Sequence, residues 1–138
     1  MDKVAYAIEL QTPSVDDYLR LRASGGLSTF SREAAEIGLS GTLFSAMALH
    51  HGAPVGMGRL IGDGGCFFQI VDIVVEPAHR GRGLGKAIMF ALMTYVRTEL
   101  PRTAYISLIA DIPANELYEQ FGFKETAPRS LGMAYRVF

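Results

Sequence analysis

Cysteine is nearly missing. Cys66 stands alone, so no internal disulfide can form, and its neighbours Gly64 and Gly65 place it at a turn or strand start as a structural thiol. An excess of either charge is missing too: Lys plus Arg number 13 against 14 Asp plus Glu, a balance that recruits neither nucleic acid nor an anionic membrane. Any basic patch must be local. No apolar run approaches the roughly 18 residues of a membrane span, and Met1-Asp2-Lys3-Val4 lacks the basic region and apolar core of a signal peptide, so the expected compartment is the cytosol. Metal-ligand spacing is absent. His50 and His51 are adjacent with diverging side chains, His79 is distant in sequence, and there is no cysteine pair, which predicts no metal. Repeats, low-complexity segments and linkers are lacking, and 138 residues with 49% hydrophobic content can bury about two thirds of the unfolded surface. One single-core domain over residues 1–138 is expected.

What is present is concentrated between Phe67 and Lys86. The β-branched, apolar run Ile70-Val71-Asp72-Ile73-Val74-Val75 has strand character, and Pro77 ends it because proline cannot donate to a ladder. Alternation puts Ile70, Asp72 and Val74 on one face and Val71, Ile73 and Val75 on the other. Arg80, Arg82 and Lys86 then interleave with Gly81, Gly83 and Gly85. A helical pattern follows from Leu84 to Val96, with Leu84, Ala87, Ile88, Ala91, Leu92, Tyr95 and Val96 on one face and Met89, Phe90 and Met93 as packing residues. Glycines let the backbone turn tightly and approach a ligand, and the first N–H groups of a helix are unpartnered at the positive end of its dipole. Such a loop is suited to a pyrophosphate.

Spacing decides which phosphate loop this is. A Walker loop ending at Gly85-Lys86 would need glycine where Arg80 stands and Ser or Thr where Ala87 stands. A Rossmann fingerprint would need glycine at Lys86 or at Ile88. Both fail. The match is Arg80-x-x-Gly83-x-Gly85, which resembles the Q/R-x-x-G-x-G/A signature of the GCN5-related N-acetyltransferases, whose loop holds the pyrophosphate of acetyl-CoA. A second stretch, Asp111-Ile112-Pro113-Ala114-Asn115-Glu116-Leu117-Tyr118-Glu119-Gln120-Phe121-Gly122-Phe123, resembles that family's N-x-x-A-x-x-L/F-Y-x-x-x-G-F signature, with Asp111 in the asparagine position.

Around these motifs the chain predicts an α/β fold. Val4–Leu10 is a first strand. Ser14 caps a helix with Asp16 and Asp17 in its first turn, stopped by Gly25-Gly26, and a second helix starts at Ser31 and ends near Gly41. Leu43–His50 and Val55–Ile61 are strands joined by a hairpin over His51-Gly52-Ala53-Pro54. After the central strand and helix, Thr103–Ala110 is expected as a buried parallel strand reached by a right-handed crossover. A short helix then begins near Asp111 or Ile112 and stops at Gly122, and Lys124–Thr126 with Met133–Val137 can close a final strand pair. The resemblance implies a mixed, mostly antiparallel sheet with one parallel, splayed strand pair, flanked by about four helices.

The resemblance also implies a chemistry, acetyl transfer from acetyl-CoA to a primary amine of a small molecule or peptide by direct attack. In that picture the central and next parallel strands splay, often at a bulge, and the pantetheine arm pairs with backbone groups of Ile73, Val74 and Val75. The loop Arg80, Gly81, Arg82, Gly83, Leu84, Gly85 and Lys86 holds the pyrophosphate, and Asp111 stands where relatives contact pantetheine. Tyr118 stands where relatives protonate the CoA thiolate; its other reading is a packed tyrosine. Asp72, an acid within an apolar strand, is either a cleft base or a buried acceptor tying the sheet to a neighbour. Arg59 could pair with Asp63 or Asp72, and Glu76 should be solvated. A CoA-binding sensor or interaction module without catalysis is the alternative function, a nucleotide-binding regulatory domain is disfavoured by the failed spacings, and a homodimer is left open.

Overall fold

The computed structural model describes residues 5–137. Their elements are strand β1 (Tyr6–Glu9), helix α1 (Val15–Ser24), helix α2 (Arg32–Ser40), strands β2 (Phe44–His50), β3 (Ala53–Gly62) and β4 (Phe67–Val75), helix α3 (Leu84–Glu99), strand β5 (Tyr105–Ser107) and helix α4 (Asn115–Glu119). The chain divides into two compact units, Met1–Leu108 and Ile109–Phe138. No helix among the described residues is long and apolar enough to cross a membrane.

The first unit carries a five-stranded sheet in the order β1-β2-β3-β4-β5, antiparallel except for the parallel pair β4 and β5. Local chemistry sets its helices. Ser14 Oγ accepts from the Asp17 N–H at 3.1 Å and Ser31 Oγ from the Ala34 N–H at 3.1 Å, so both expected caps form, and Gly25 and Gly41 close the two helices. The hairpin turn is shorter than its sequence signal. His51 and Gly52 both take positive φ, as a type I′ two-residue turn requires, and Ala53 and Pro54 already belong to β3, with a register shift where Leu49 meets Pro54.

Apolar burial falls on both faces of this sheet. On one, Tyr18 and Leu21 of α1 and Ala35 and Leu39 of α2 cluster with Met47, Met57 and Val74. On the other lies α3, whose buried residues are Leu84, Ile88, Met89, Leu92 and Met93. Phe90 departs from its expected packing role and is exposed.

The last third of the sequence departs most from expectation. The strand expected over Thr103–Ala110 shortens to Tyr105–Ser107, and Tyr105 is exposed rather than buried. In the second unit, α4 starts at Asn115 instead of near Asp111, after a turn in which the Ala114 N–H donates to the Asp111 carbonyl at 2.7 Å. Gly122 ends that region at φ +93, as its position suggested. The strand pair expected over Lys124–Thr126 and Met133–Val137 is not found among the described residues. Instead the Ser130 N–H donates to the Thr126 carbonyl and the Thr126 hydroxyl to the Ser130 carbonyl, closing a local turn. Leu131, Met133, Tyr135 and Val137 stay exposed, so the period-2 pattern has no sheet face to bury.

Candidate functional site

The site is built on β4, and β4 is irregular. Its register runs Gly56↔Val75 and Met57↔Val74, then resumes at Arg59↔Val71, so Asp72 and Ile73 together oppose Gly58. This is a β-bulge, and Asp72 sits in it at φ +62, a left-handed conformation that aspartate tolerates better than most residues. The bulge corrects the expected alternation. Val71 shares the α1–α2 face with Arg59, while Ile70 shares the α3 face with Leu60. On the far side of β4 the parallel pairing covers only Phe67↔Tyr105, Phe68↔Ile106 and Gln69↔Ser107. From Ile70 onward β4 has a described strand partner on one side alone.

Asp72 is the hub of a buried ionic group. Its Oδ1 accepts from the Tyr18 hydroxyl at 2.9 Å and from Arg22 Nη1, and its Oδ2 accepts from Arg59 Nε at 2.7 Å. The side chains of Arg22, Asp72 and Arg59 are 9%, 4% and 8% exposed, so these are desolvated charges rather than a surface pair. Each arginine is held in turn. Arg22 donates from Nε to the Ser28 carbonyl at 2.8 Å and from Nη2 to the Ser28 hydroxyl, and its guanidinium lies over the Phe30 ring. Arg59 Nη1 donates to the Gly38 carbonyl at 3.1 Å and to the Thr42 hydroxyl at 2.7 Å. Tyr18's pKa is raised, first by burial and then by the negative charge of Asp72 and the hydrogen bond to it, against the opposing pull of Arg59 and Arg22. Of the two readings open for Asp72, these contacts favour the acceptor that ties sheet to helices, because taking a substrate proton would break ion pairs already made. Arg59 pairs with Asp72 and not with Asp63, whose Oδ1 instead accepts the N–H groups of Gly65, Cys66 and Phe67 at the entry to β4.

On the opposite face the bulge is seated on bare backbone. A Cβ built on Gly58 would lie 2.5 Å from Ile73 Cδ1 and 2.8 Å from Ile88 Cγ2. Glycine at 58 therefore leaves the space that Ile73 fills against α3.

Beyond β4, Pro77–His79 form one 3₁₀ turn and the glycine loop leads into α3. Gly81 and Gly83 take φ +76 and +78, and a Cβ at either would meet no protein atom within 4 Å. The loop backbone is thus bare on its outer side. The first i→i−4 bond of α3 runs from the Ala87 N–H to the Gly83 carbonyl, so the amides of Leu84, Gly85 and Lys86 precede the helical ladder. Those amides and the two glycines fit a diphosphate by the chemistry of their donors and by the room left around them. Arg80 is tied inward, its Nε donating to the Val75 carbonyl at 2.9 Å and its Nη2 to the Gly25 carbonyl at 3.1 Å. Of the backbone groups expected for pantetheine, the Val75 carbonyl is therefore already engaged. Glu76 is also held, by Arg20 and the Ser24 hydroxyl, where a solvated side chain was expected.

The histidines are closer together than the sequence suggested. The His50 ring lies 4.3 Å from that of His51 and 4.7 Å from that of His79, and His79 Nδ1 shares a 2.8 Å hydrogen bond with the Tyr6 hydroxyl. In the second unit Tyr118 is buried on α4, and its pKa is raised, first by desolvation and then by the charge of Asp111.

Sequence reasoning missed Tyr18 and Arg22. A signal existed, because Tyr18, Leu21 and Arg22 are spaced i, i+3, i+4 on α1 and a buried arginine demands a carboxylate partner.

Known proteins share this fold. Over most of the chain's length, 96% of it and 99% of the other, it superposes with a TM-score of 0.90 and 42% identity on a Staphylococcus aureus protein of unknown function designated a probable acetyltransferase. A GNAT family acetyltransferase of Streptococcus pneumoniae shares the fold at TM-score 0.78 and 24% identity, over 96% of this chain and 98% of that one. Among curated proteins, the histone acetyltransferase TAP1 of Glycine max is 36% identical over 80 residues, 57% of this chain and 33% of its own length. A chloroplastic serotonin N-acetyltransferase 2 of Oryza sativa is 34% identical over 84 residues, 61% of this chain and 41% of its own length. The chain thus spans well under half the length of these curated relatives. The acetyltransferase (GNAT) domain family matches residues 24–132, and the chain belongs to that family.

Proposed function

We propose that the chain is a single acetyltransferase domain that moves the acetyl group of acetyl-CoA onto a primary amine of a small molecule or peptide. The observation that carries this reading is the glycine loop between β4 and α3, with two left-handed glycines, open space around them and unladdered amides behind. The loop amides and Lys86 bind the pyrophosphate, and the one-sided edge of β4 at Ile73 and Val74 receives the pantetheine arm as an added strand would be received. A backbone N–H of that edge donates to the carbonyl oxygen as negative charge develops there.

In the reaction the neutral amine nitrogen attacks the thioester carbonyl carbon, a C–N bond forms and the C–S bond breaks, its electron pair leaving with sulfur. Tyr118 gives its hydroxyl proton to that sulfur and regains one from solvent, while the surplus proton on nitrogen passes to water. Burial first, and then the charge of Asp111, raise the Tyr118 pKa, a direction that favours the protonated form.

Two substitutions test the reading. Gly83→Val should weaken acetyl-CoA binding strongly, measured by titration calorimetry, since a Cβ would occupy the ligand's space and the residue must hold φ +78. Unchanged affinity would remove the loop from the site. Tyr118→Phe should lower turnover on the order of 10² or more in a thiol-release assay with an amine panel, with acetyl-CoA affinity kept.

A further inference from the structure

The bulge in β4 lacks the usual supports of strand backbone. At Asp72 and Ile73 the ladder to β3 is interrupted, and parallel pairing to β5 has already ended at Gln69. What fixes this stretch on the α1–α2 face is one carboxylate, gripped by three donors from two elements: Tyr18 and Arg22, one turn apart on α1, and Arg59 on β3. Behind them, Ser28 holds Arg22, and Gly38 and Thr42 hold Arg59. We infer that Tyr18, Arg22 and Arg59 are positioning residues for acyl transfer, holding Asp72 in its left-handed conformation and thereby fixing the bulge whose open edge donates to the acyl oxygen. The inference rests on the function proposed above.

Two physical arguments support it. Fold stability alone does not require the group, because buried ion clusters can often be exchanged for apolar side chains without loss. What an apolar residue would not do is grip a strand from three directions at a residue with positive φ. Charge stabilisation, in contrast, depends on a donor placed close to the developing oxyanion, and a displacement of about 1 Å can cost a hundredfold in rate.

The test uses acetyl-CoA labelled with ¹³C at the carbonyl, bound to the full chain in its wild-type form and as Tyr18→Phe and Arg59→Lys. Tyr18→Phe removes one donor and keeps the ring, and Arg59→Lys keeps the charge but loses the fork. The carbonyl stretch of bound ligand is read by difference infrared spectroscopy, beside calorimetric affinity and the single-turnover rate. In both variants the band should move toward its free-solution frequency and the rate should fall on the order of tenfold to a hundredfold, with affinity preserved. Wild-type band and rate in both folded variants would overturn the positioning role. Wild-type protein that fails to bind acetyl-CoA at all would overturn the proposed function itself, and the inference with it.

Discussion

The two halves of β4 are held by different forces. From Phe67 to Gln69 the strand has β3 on one side and β5 on the other, and the backbone ladders define it. From Ile70 to Val75 one side is unladdered, the register slips at Gly58, and side chains do the fixing: Asp72 into two guanidiniums and a phenol, Ile73 onto the bare backbone of Gly58. A strand can therefore give up main-chain pairing along one side, provided that its remaining face is pinned from outside the ladder.

The contrast should break most visibly at Arg59. Arg59→Met leaves Asp72 short of a cation in a desolvated setting, and about 3–5 kcal/mol of stability should be lost. Hydrogen exchange should then report early opening of Val71–Val75 while Phe67–Gln69 stays protected; uniform loss along β4 would mean that the halves are not separately held. Gly58→Ala attacks from the other face. The new methyl must displace Ile73 and Ile88, at a cost of about 1–3 kcal/mol in chemical denaturation. The smallest effect is at alkaline pH. Tyr18's pKa is raised from 10.0, so the folded chain keeps a proton that the unfolded chain gives up. Its stabilising contribution is complete below pH 10 and is lost as pH climbs from there through the folded value. Tyr18→Phe should flatten that alkaline decline in melting temperature, while Tyr118, raised in the same sense, contributes equally to both proteins.

Legibility in the sequence followed the range of the interaction. The caps at Ser14 and Ser31, the stops at Gly25 and Gly41, and the strand–loop–helix around Arg80 and Gly83 are settled within a few residues, and each was found where the spacing put it. The Arg59 to Asp72 pair was one of two foreseen options, because an acid in an apolar strand has few places to turn. Tyr18 and Arg22 meet Asp72 across 54 and 50 residues, and their spacing on α1 marks a shared face without naming the partner. The resemblance implied a bulge where the strands splay, but its place was hidden, since a strict period of two gives no warning that aspartate will take a left-handed turn and exchange the faces of Ile70 and Val71. Residues 124–137 failed for the opposite reason. Their alternation is a local signal, yet a strand also needs a partner, and their side chains remain exposed.

The engagement of Arg80 with two carbonyls, at the end of β4 and at the end of α1, changes what its side chain contributes. An arginine held in this way acts as a splint, and on the proposed function the entropy of ordering the loop is lost during folding instead of at the encounter with acetyl-CoA. Its removal should then show as a larger unfavourable entropy of association and a slower on-rate, with little change in dependence on salt. Within the Arg80-x-x-Gly83-x-Gly85 stretch, the arginine is thus a conformational restraint that links the end of β4 to the end of α1.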